Sequence, residues 1–151
     1  MKLFVGADHN GFELKRKLIE ALRRSGHVVV DKGDAERNPD DDFPVFAAQV
    51  VHAMRASDDD DPRGILICGS GQGMCIAANR FKGIRASLIW EVDEAHAARN
   101  DDDSNVLCLP ARSITAEEAV KIAEAWLATP FAGAARYKRR IKELDQLGEE
   151  F

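Results

Sequence analysis

Five short apolar runs alternate along the chain with segments of helical periodicity, and this alternation limits the fold more than any other feature. The runs are Leu3–Gly6, Val28–Asp31, Gly64–Cys68, Arg85–Ile89 and Asn105–Leu109, bounded by Gly, Asp or Pro turn residues. Between them, Gly11–Ser25 places Phe12, Leu14, Leu18, Ile19 and Leu22 at helical spacing, and Gly26 stops it. Asn10 and Glu13 have the spacing of a capping pair for that helix. Pro44 opens a second helix with Phe46, Val50 and Met54 on one face. Further helical stretches are Met74–Phe81 and Val92–Arg99. Thr115 and Glu118 form a capping box for Ala116–Ala128, and Pro130 separates it from a last helix over Ala134–Leu147. Strands alternating with helices predict an α/β fold, a parallel sheet covered on both faces. Ligands of such sheets sit beyond the carboxyl ends of the strands, so the strand-to-helix junctions are the places to search. No repeat or linker interrupts the 151 residues, which read as one domain.

The net charge of −5 argues against nucleic acid or an anionic membrane as a partner, since both require a positive surface. The runs Asp40–Asp42 and Asp58–Asp61 read as solvated loops. Three cysteines without paired spacing give neither a disulfide framework nor a zinc pattern. The apolar run at the N-terminus is too short for a signal peptide, and none approaches the roughly 20 residues of a membrane helix. The expected compartment is the cytoplasm.

Three places carry candidate chemistry. The first junction, Gly6-Ala7-Asp8-His9-Asn10-Gly11, has the glycine spacing of a P-loop but continues with Phe12 and Glu13, so the nucleotide reading fails. Asp8 and His9 either cap the helix or bind a polar substrate at the strand end. The third junction reads Cys68-Gly69-Ser70-Gly71-Gln72-Gly73. Its alternating glycines let backbone N–H groups approach an anion, and Cys68 sits where a thiol can act as base or nucleophile with Ser70 beside it. The plain alternative is a buried structural cysteine, as expected for Cys75 and Cys108. On the last helix Arg136 and Arg140 are four apart and share a face, which suits either a phosphate or a solvated basic helix end. His27, His52 and His96 show no metal spacing, and Trp90 and Trp126 read as core or interface residues.

Gly6–Lys15, Gly64–Gly73, Ile76–Arg80, Gly83–Ala86, Asn105–Leu107 and the Arg136/Arg140 helix together resemble the ribose-5-phosphate isomerase B and galactose-6-phosphate isomerase family, in order and over essentially the whole chain. The resemblance implies a three-layer α/β/α sandwich: a Rossmann-like five-stranded parallel sheet with an extended C-terminal helix. It also implies a homodimer, in some cases paired into tetramers, with active sites at the subunit interface and no metal or organic cofactor. The implied substrate is a phosphorylated sugar, and the reaction an aldose–ketose isomerisation through a cis-enediolate. Carried over by position, Cys68 is the base and Ser70 its hydroxyl partner. Some relatives use a Glu where this chain has Met74. The N–H groups of Gly69, Gly71 and Gly73 face the enediolate oxygen. His9, Arg136 and Arg140 hold the phosphate, Arg112 joins them across the interface, and Asp8 contacts the sugar.

The sequence departs from the family at Asp101-Asp102-Asp103-Ser104-Asn105. Ribose-5-phosphate isomerases usually carry His-Asn there, and the His opens the furanose ring. Here Asp101 and Asp102 occupy those positions. Three readings follow. Asp101 opens the ring with a raised pKa, His96 about one turn earlier substitutes, or the substrate needs no ring opening. A tetrose 4-phosphate fits the third, since its phosphate blocks the oxygen that would close a furanose. Gly133-Ala134-Ala135 also carries one residue more than the usual Gly-Gly before Arg136. Two other functions share the fold: a non-catalytic sugar-phosphate binding protein, and one subunit of a two-chain galactose-6-phosphate isomerase. A Rossmann-type dehydrogenase lacks its fingerprint.

Overall fold

The computed structural model describes residues 1–148. It contains strands β1 (Lys2–Ala7), β2 (Val28–Asp31), β3 (Arg63–Cys68), β4 (Ala86–Leu88) and β5 (Val106–Pro110). Helices α1 (Phe12–Arg24), α2 (Phe43–Arg55), α3 (Gln72–Ala78), α4 (Val92–Asp102), α5 (Ala116–Ala128) and α6 (Ala135–Gln146) alternate with them. The strands form one parallel sheet in the order β2-β1-β3-β5-β4. This is the α/β/α sandwich expected from the sequence.

Two apolar cores lie on the two faces of the sheet. The alternating side chains of β1, β3 and β5 divide between them, because successive residues of a strand point to opposite faces. Leu3, Val5, Ile65, Ile67, Leu107 and Leu109 meet α1, α4 and α5 on one face. Phe4, Leu66, Cys68, Val106 and Cys108 meet α2 and α3 on the other. The predicted stripe of α1 is buried, each full burial stabilising by roughly 1.5–3 kcal/mol. Thr115 and Glu118 make both bonds of their capping box. The capping pair expected from Asn10 and Glu13 does not form. Gly11 is the N-cap residue of α1, and Asp8 Oδ1 instead accepts from the N–H groups of Asn10 (3.0 Å) and Gly11 (3.1 Å).

Lys15 is fully buried in α1, at the edge of the first core. Its ammonium donates to Asp31 Oδ1 (2.9 Å) and to the Asp34 carbonyl (2.8 Å), which ties the loop after β2 to α1. Among the described residues no helix is long and apolar enough to cross a membrane.

The topology fixes where a crevice opens. β1 and β3 are neighbours, but their following helices pass to opposite faces of the sheet. The ends of β1 and β3 therefore part at a switch point, the usual ligand position of such sheets. Gly11 is needed for the close fit there. A Cβ on it would sit 2.6 Å from the Ile67 carbonyl oxygen, at the end of β3. Gly11→Ala is expected to cost about 1–3 kcal/mol of stability, the scale of an overpacked core, and to lower Tm by several degrees. Thermal denaturation followed by circular dichroism checks this; an unchanged Tm would mean that the junction has slack.

Candidate active site

The carboxyl ends of β1, β3 and β5 bring together Asp8, His9, Cys68, the glycine loop and Arg112. Asp8 follows β1 and is 6% exposed; its backbone N–H donates to the Ile67 carbonyl (3.2 Å), which joins the first junction to the third. Asp8 Oδ1 holds the turn that leads into α1 without capping the helix itself, so one oxygen serves the fold and Oδ2 is left for a substrate. Cys68 ends β3, is 5% exposed, and its carbonyl accepts from Ala111 N–H (2.9 Å). Ser70 Oγ accepts from Gln72 N–H (3.4 Å). Gly71 has φ +73°, and a Cβ on it would lie 2.4 Å from Leu88, so only glycine allows this turn into α3.

Arg112 lies against its own chain's glycine loop. Its N–H donates to the Gly69 carbonyl (2.9 Å), and a Cβ on Gly69 would meet its Nε at 2.8 Å. The expectation that Arg112 reaches in from a second subunit is corrected: β5 is the neighbour of β3, so its end delivers Arg112 beside Cys68 of the same chain.

His9 is held by a residue the sequence did not single out. Asp41 Oδ1 lies 2.6 Å from His9 Nδ1 and accepts from the His9 backbone N–H (3.2 Å), with the Asp41 side chain only 7% exposed. The reading of Asp40–Asp42 as solvated is therefore corrected at Asp41. The loop after β2 returns beside the end of β1 because those strands pair. The only signal in the sequence was the place of Asp41 just before the Phe43-Pro44 helix start. The Phe43 ring also closes over the loop, within 2.9 Å of a Cβ placed on Gly73.

The remaining candidates form a second cluster. Asp101 and Asp102 end α4, Arg136 and Arg140 lie exposed on α6, and the Ala132 N–H donates to the Asn100 carbonyl (3.1 Å) to dock the segment before α6 on α4. Asp101 accepts from Asn100 Nδ2 (2.7 Å). That bond, a second from Tyr137, and the charges of Arg136 and Arg140 hold its carboxyl below the usual carboxylate range. The reading in which Asp101 opens a ring with a raised pKa is corrected by this shift in the other direction. His96 does not take its place: its Nδ1 meets Thr129 Oγ1 at 2.7 Å, and five residues of helix turn it well away from Asp101. The sequence counted that interval as one turn. The Asp102 carbonyl accepts from Arg85 Nε (2.9 Å), beside the start of β4.

The two clusters stand at opposite ends of the sheet. Asp101–Asp103 precede β5 and Arg112 follows it, and a strand of that length spans roughly 15 Å at about 3.3 Å per residue. A cleft of about 650 Å³ formed by the chain alone is lined by Asn79, Arg85, Asp102 and Leu144 and holds none of the Cys68 cluster.

Other candidates fall where plain packing puts them. Cys108 is fully buried, and burial pushes its thiol up. Cys75 is only half-buried: it donates to the Ala86 carbonyl (3.3 Å), and a hydrogen bond with Cys108 leads the effects that bring its thiol down to about 7. Trp126 is core and Trp90 is 54% exposed. His27 faces Glu124 (3.4 Å), and His52 packs edge-on against Phe81. Met74, at the position of the alternative Glu base, is fully buried.

A family model described as Ribose/Galactose Isomerase matches residues 3–144. The chain belongs to the ribose/galactose isomerase family. Membership makes it an isomerase of the aldose–ketose class. A ribose-5-phosphate isomerase B from Mycolicibacterium paratuberculosis is 40% identical over 141 residues, covering 93% of this chain and 87% of the relative. One from Escherichia coli is 39% identical over 145 residues, 95% and 93% of the two chains. Among solved structures, ribose 5-phosphate isomerase from Thermotoga maritima superposes with a TM-score of 0.91 at 42% identity, covering 97% of this chain and 98% of that one. Ribose-5-phosphate isomerase B from Mycoplasma genitalium with bound ribulose 5-phosphate gives 0.91 at 38% identity, covering 99% and 97%.

Proposed function

We propose that the chain interconverts a phosphorylated aldose and its ketose, of the ribose 5-phosphate and ribulose 5-phosphate type, in a site shared by two copies of the chain in the cytoplasm. The observation that carries this reading is the gathering of Asp8, His9, Cys68 and Arg112 around the glycine loop at the switch point. Cys68, as thiolate, takes the proton from C2 of the open-chain aldose. The C2–H electron pair forms the C1=C2 bond and charge moves onto O1, where N–H groups of Gly69, Gly71 and Gly73 stabilise it. The proton returns to C1, O1 is protonated and O2 gives up its hydroxyl proton, which leaves a ketone at C2. Ser70 orients the thiol, and Asp8 Oδ2 accepts from a sugar hydroxyl. No step draws on a metal or an organic cofactor.

His9 and Arg112 hold the phosphate with Arg136 and Arg140 of a second copy. Within one chain those arginines lie beyond the length of β5 from Cys68. Helix α6, which carries them, buries no residue of its own and exposes Leu144. A homodimer that packs α6 on its partner completes two sites at once. The catalytic set on one chain also speaks against a purely binding role and against a subunit needing an unlike partner.

A second reading concerns the substrate. Asp101, where the ring-opening His stands in ribose-5-phosphate isomerases, is held ionised and makes a poor acid. Asp101 and Asp102 of the second copy, standing where the ring-opening His-Asn pair stands in those isomerases, then favour an open-chain aldose, such as a tetrose 4-phosphate. Rates with ribose 5-phosphate, tetrose 4-phosphates and hexose 6-phosphates decide between the readings. A tetrose 4-phosphate at least tenfold better in kcat/KM supports the second, and comparable or faster ribose 5-phosphate removes it. Inactivity on all three classes contradicts the proposal.

A further inference from the structure

We infer that Asp41 is a positioning residue that commits the His9 imidazole to the form protonated on Nδ1, so that Nε2 is the ring atom presented to substrate; this rests on His9 belonging to the proposed site. Asp41 Oδ1 contacts His9 twice, accepting from the backbone N–H (3.2 Å) and lying 2.6 Å from Nδ1. A carboxylate only accepts, so Nδ1 carries a proton whether the ring is neutral or charged. Nε2 is then an acceptor for a hydroxyl in the neutral ring and a donor to phosphate in the charged one. Without the carboxylate, the contact that selects Nδ1 and orients the ring is lost.

The surroundings keep this geometry fixed. Arg37 Nε donates to the His9 carbonyl (3.2 Å), and Asp8 Oδ1 holds the next two backbone N–H groups. Asp41 itself is 7% exposed, and the loop that brings it is anchored near its start by buried Lys15. Asp8, His9 and Asp41 each place a donor atom within 4.8 Å of the others, as a cation site would. At 2.6 Å, however, Nδ1 and Oδ1 are closer than two ligands of one metal ion sit, and a shared proton accounts for the contact.

The test is two-bond 1H–15N correlation of the histidine rings in the intact protein, with the His9 signals identified by their loss in His9→Gln. The neutral ring in the wild type is expected to be protonated on Nδ1, and Asp41→Ala is expected to lose that preference. In the same variant kcat/KM on the best substrate of the panel falls about tenfold to hundredfold, the scale of a misplaced group. A wild-type ring protonated on Nε2 overturns the inference, and so does a tautomer unchanged by Asp41→Ala. A lost preference with kcat/KM intact overturns the positioning role. If the variant fails to fold, the wild-type tautomer alone decides. A wild-type protein without isomerase activity overturns the proposed function instead, and the ring spectra still settle whether Asp41 sets the tautomer.

Discussion

Cys68→Ala is expected to lower kcat by about 10²–10⁴-fold, the contribution of a positioned general base, while inorganic phosphate binds nearly as well as before. Cys68 is 5% exposed among Phe46, Met74 and Cys108 on the α2–α3 face of the sheet. Truncation to Ala removes a single sulfur atom, so the fold stays intact. Asp8, the carboxylate at this site, is committed through Oδ1 to the Asn10 and Gly11 N–H groups and through Oδ2 to a sugar hydroxyl. The position used for a Glu base by some relatives is Met74, fully buried. Ser70 Oγ is engaged by Gln72 N–H and is a far weaker base than a thiolate. The phosphate contacts come from other elements, so KM and phosphate affinity change little. Steady-state kinetics with phosphate as a competitive inhibitor separates the two effects. Residual activity within tenfold of wild type removes Cys68 from the base role, and an equal loss of phosphate affinity means that the variant has disturbed the site.

The second large effect is restored activity. Arg136→Ala combined with Arg140→Ala removes two charge-assisted hydrogen-bonding groups, each worth about 1.5–3 kcal/mol, and lowers kcat/KM by about 10²–10⁴-fold. In a shared site this defect lies in one copy and the Cys68→Ala defect in the other. Co-expression of the two variants with different tags yields, by random pairing, about half mixed dimers. Each mixed dimer has one intact site and one doubly defective site. The mixture should recover about a quarter of wild-type activity, and purified mixed dimers about half. Activity no higher than the mean of the two parents would place Cys68 and the arginines of each site on one chain. That outcome would need α6 to reach the opposite end of the sheet from where α4 holds its start.

Most of the fold was legible because apolar periodicity and turn residues act locally. The stripe of α1, the capping box of α5 and the five parallel strands needed no long-range information. Boundaries moved where tertiary contacts overrode local pattern. α3 begins at Gln72 rather than Met74, because the left-handed turn at Gly71 starts the helix at once. The N-cap of α1 is Gly11 rather than Asn10, and Asp8 holds the turn before it, because the end of β3 pins the junction.

The site was legible where a motif is contiguous, as in Cys68–Gly73 and Gly6–Gly11. It was not legible where distant segments meet. Asp41 looked like one member of a solvated acidic run, and only the pairing of β1 with β2 brings it to His9. Arg112 follows β5, and only the adjacency of β5 and β3 places it over Gly69. The effect of Asp101 also needed the structure. An Asp in place of a His is compatible with a raised or a lowered pKa, and the bonds from Asn100 and Tyr137 decide for a lowered one.

Proton NMR of the protein with ribose 5-phosphate and with a tetrose 4-phosphate in D2O tests enediolate isomerisation most directly. The account predicts appearance of the ketose with deuterium at C1, loss of the C2 proton signal of the aldose at equilibrium, and both changes slowed by about 10²–10⁴-fold with Cys68→Ala. Ketose formed by the wild type with the original C2 hydrogen fully retained at C1 would point to direct hydride transfer, and would contradict a base that exchanges its proton with solvent.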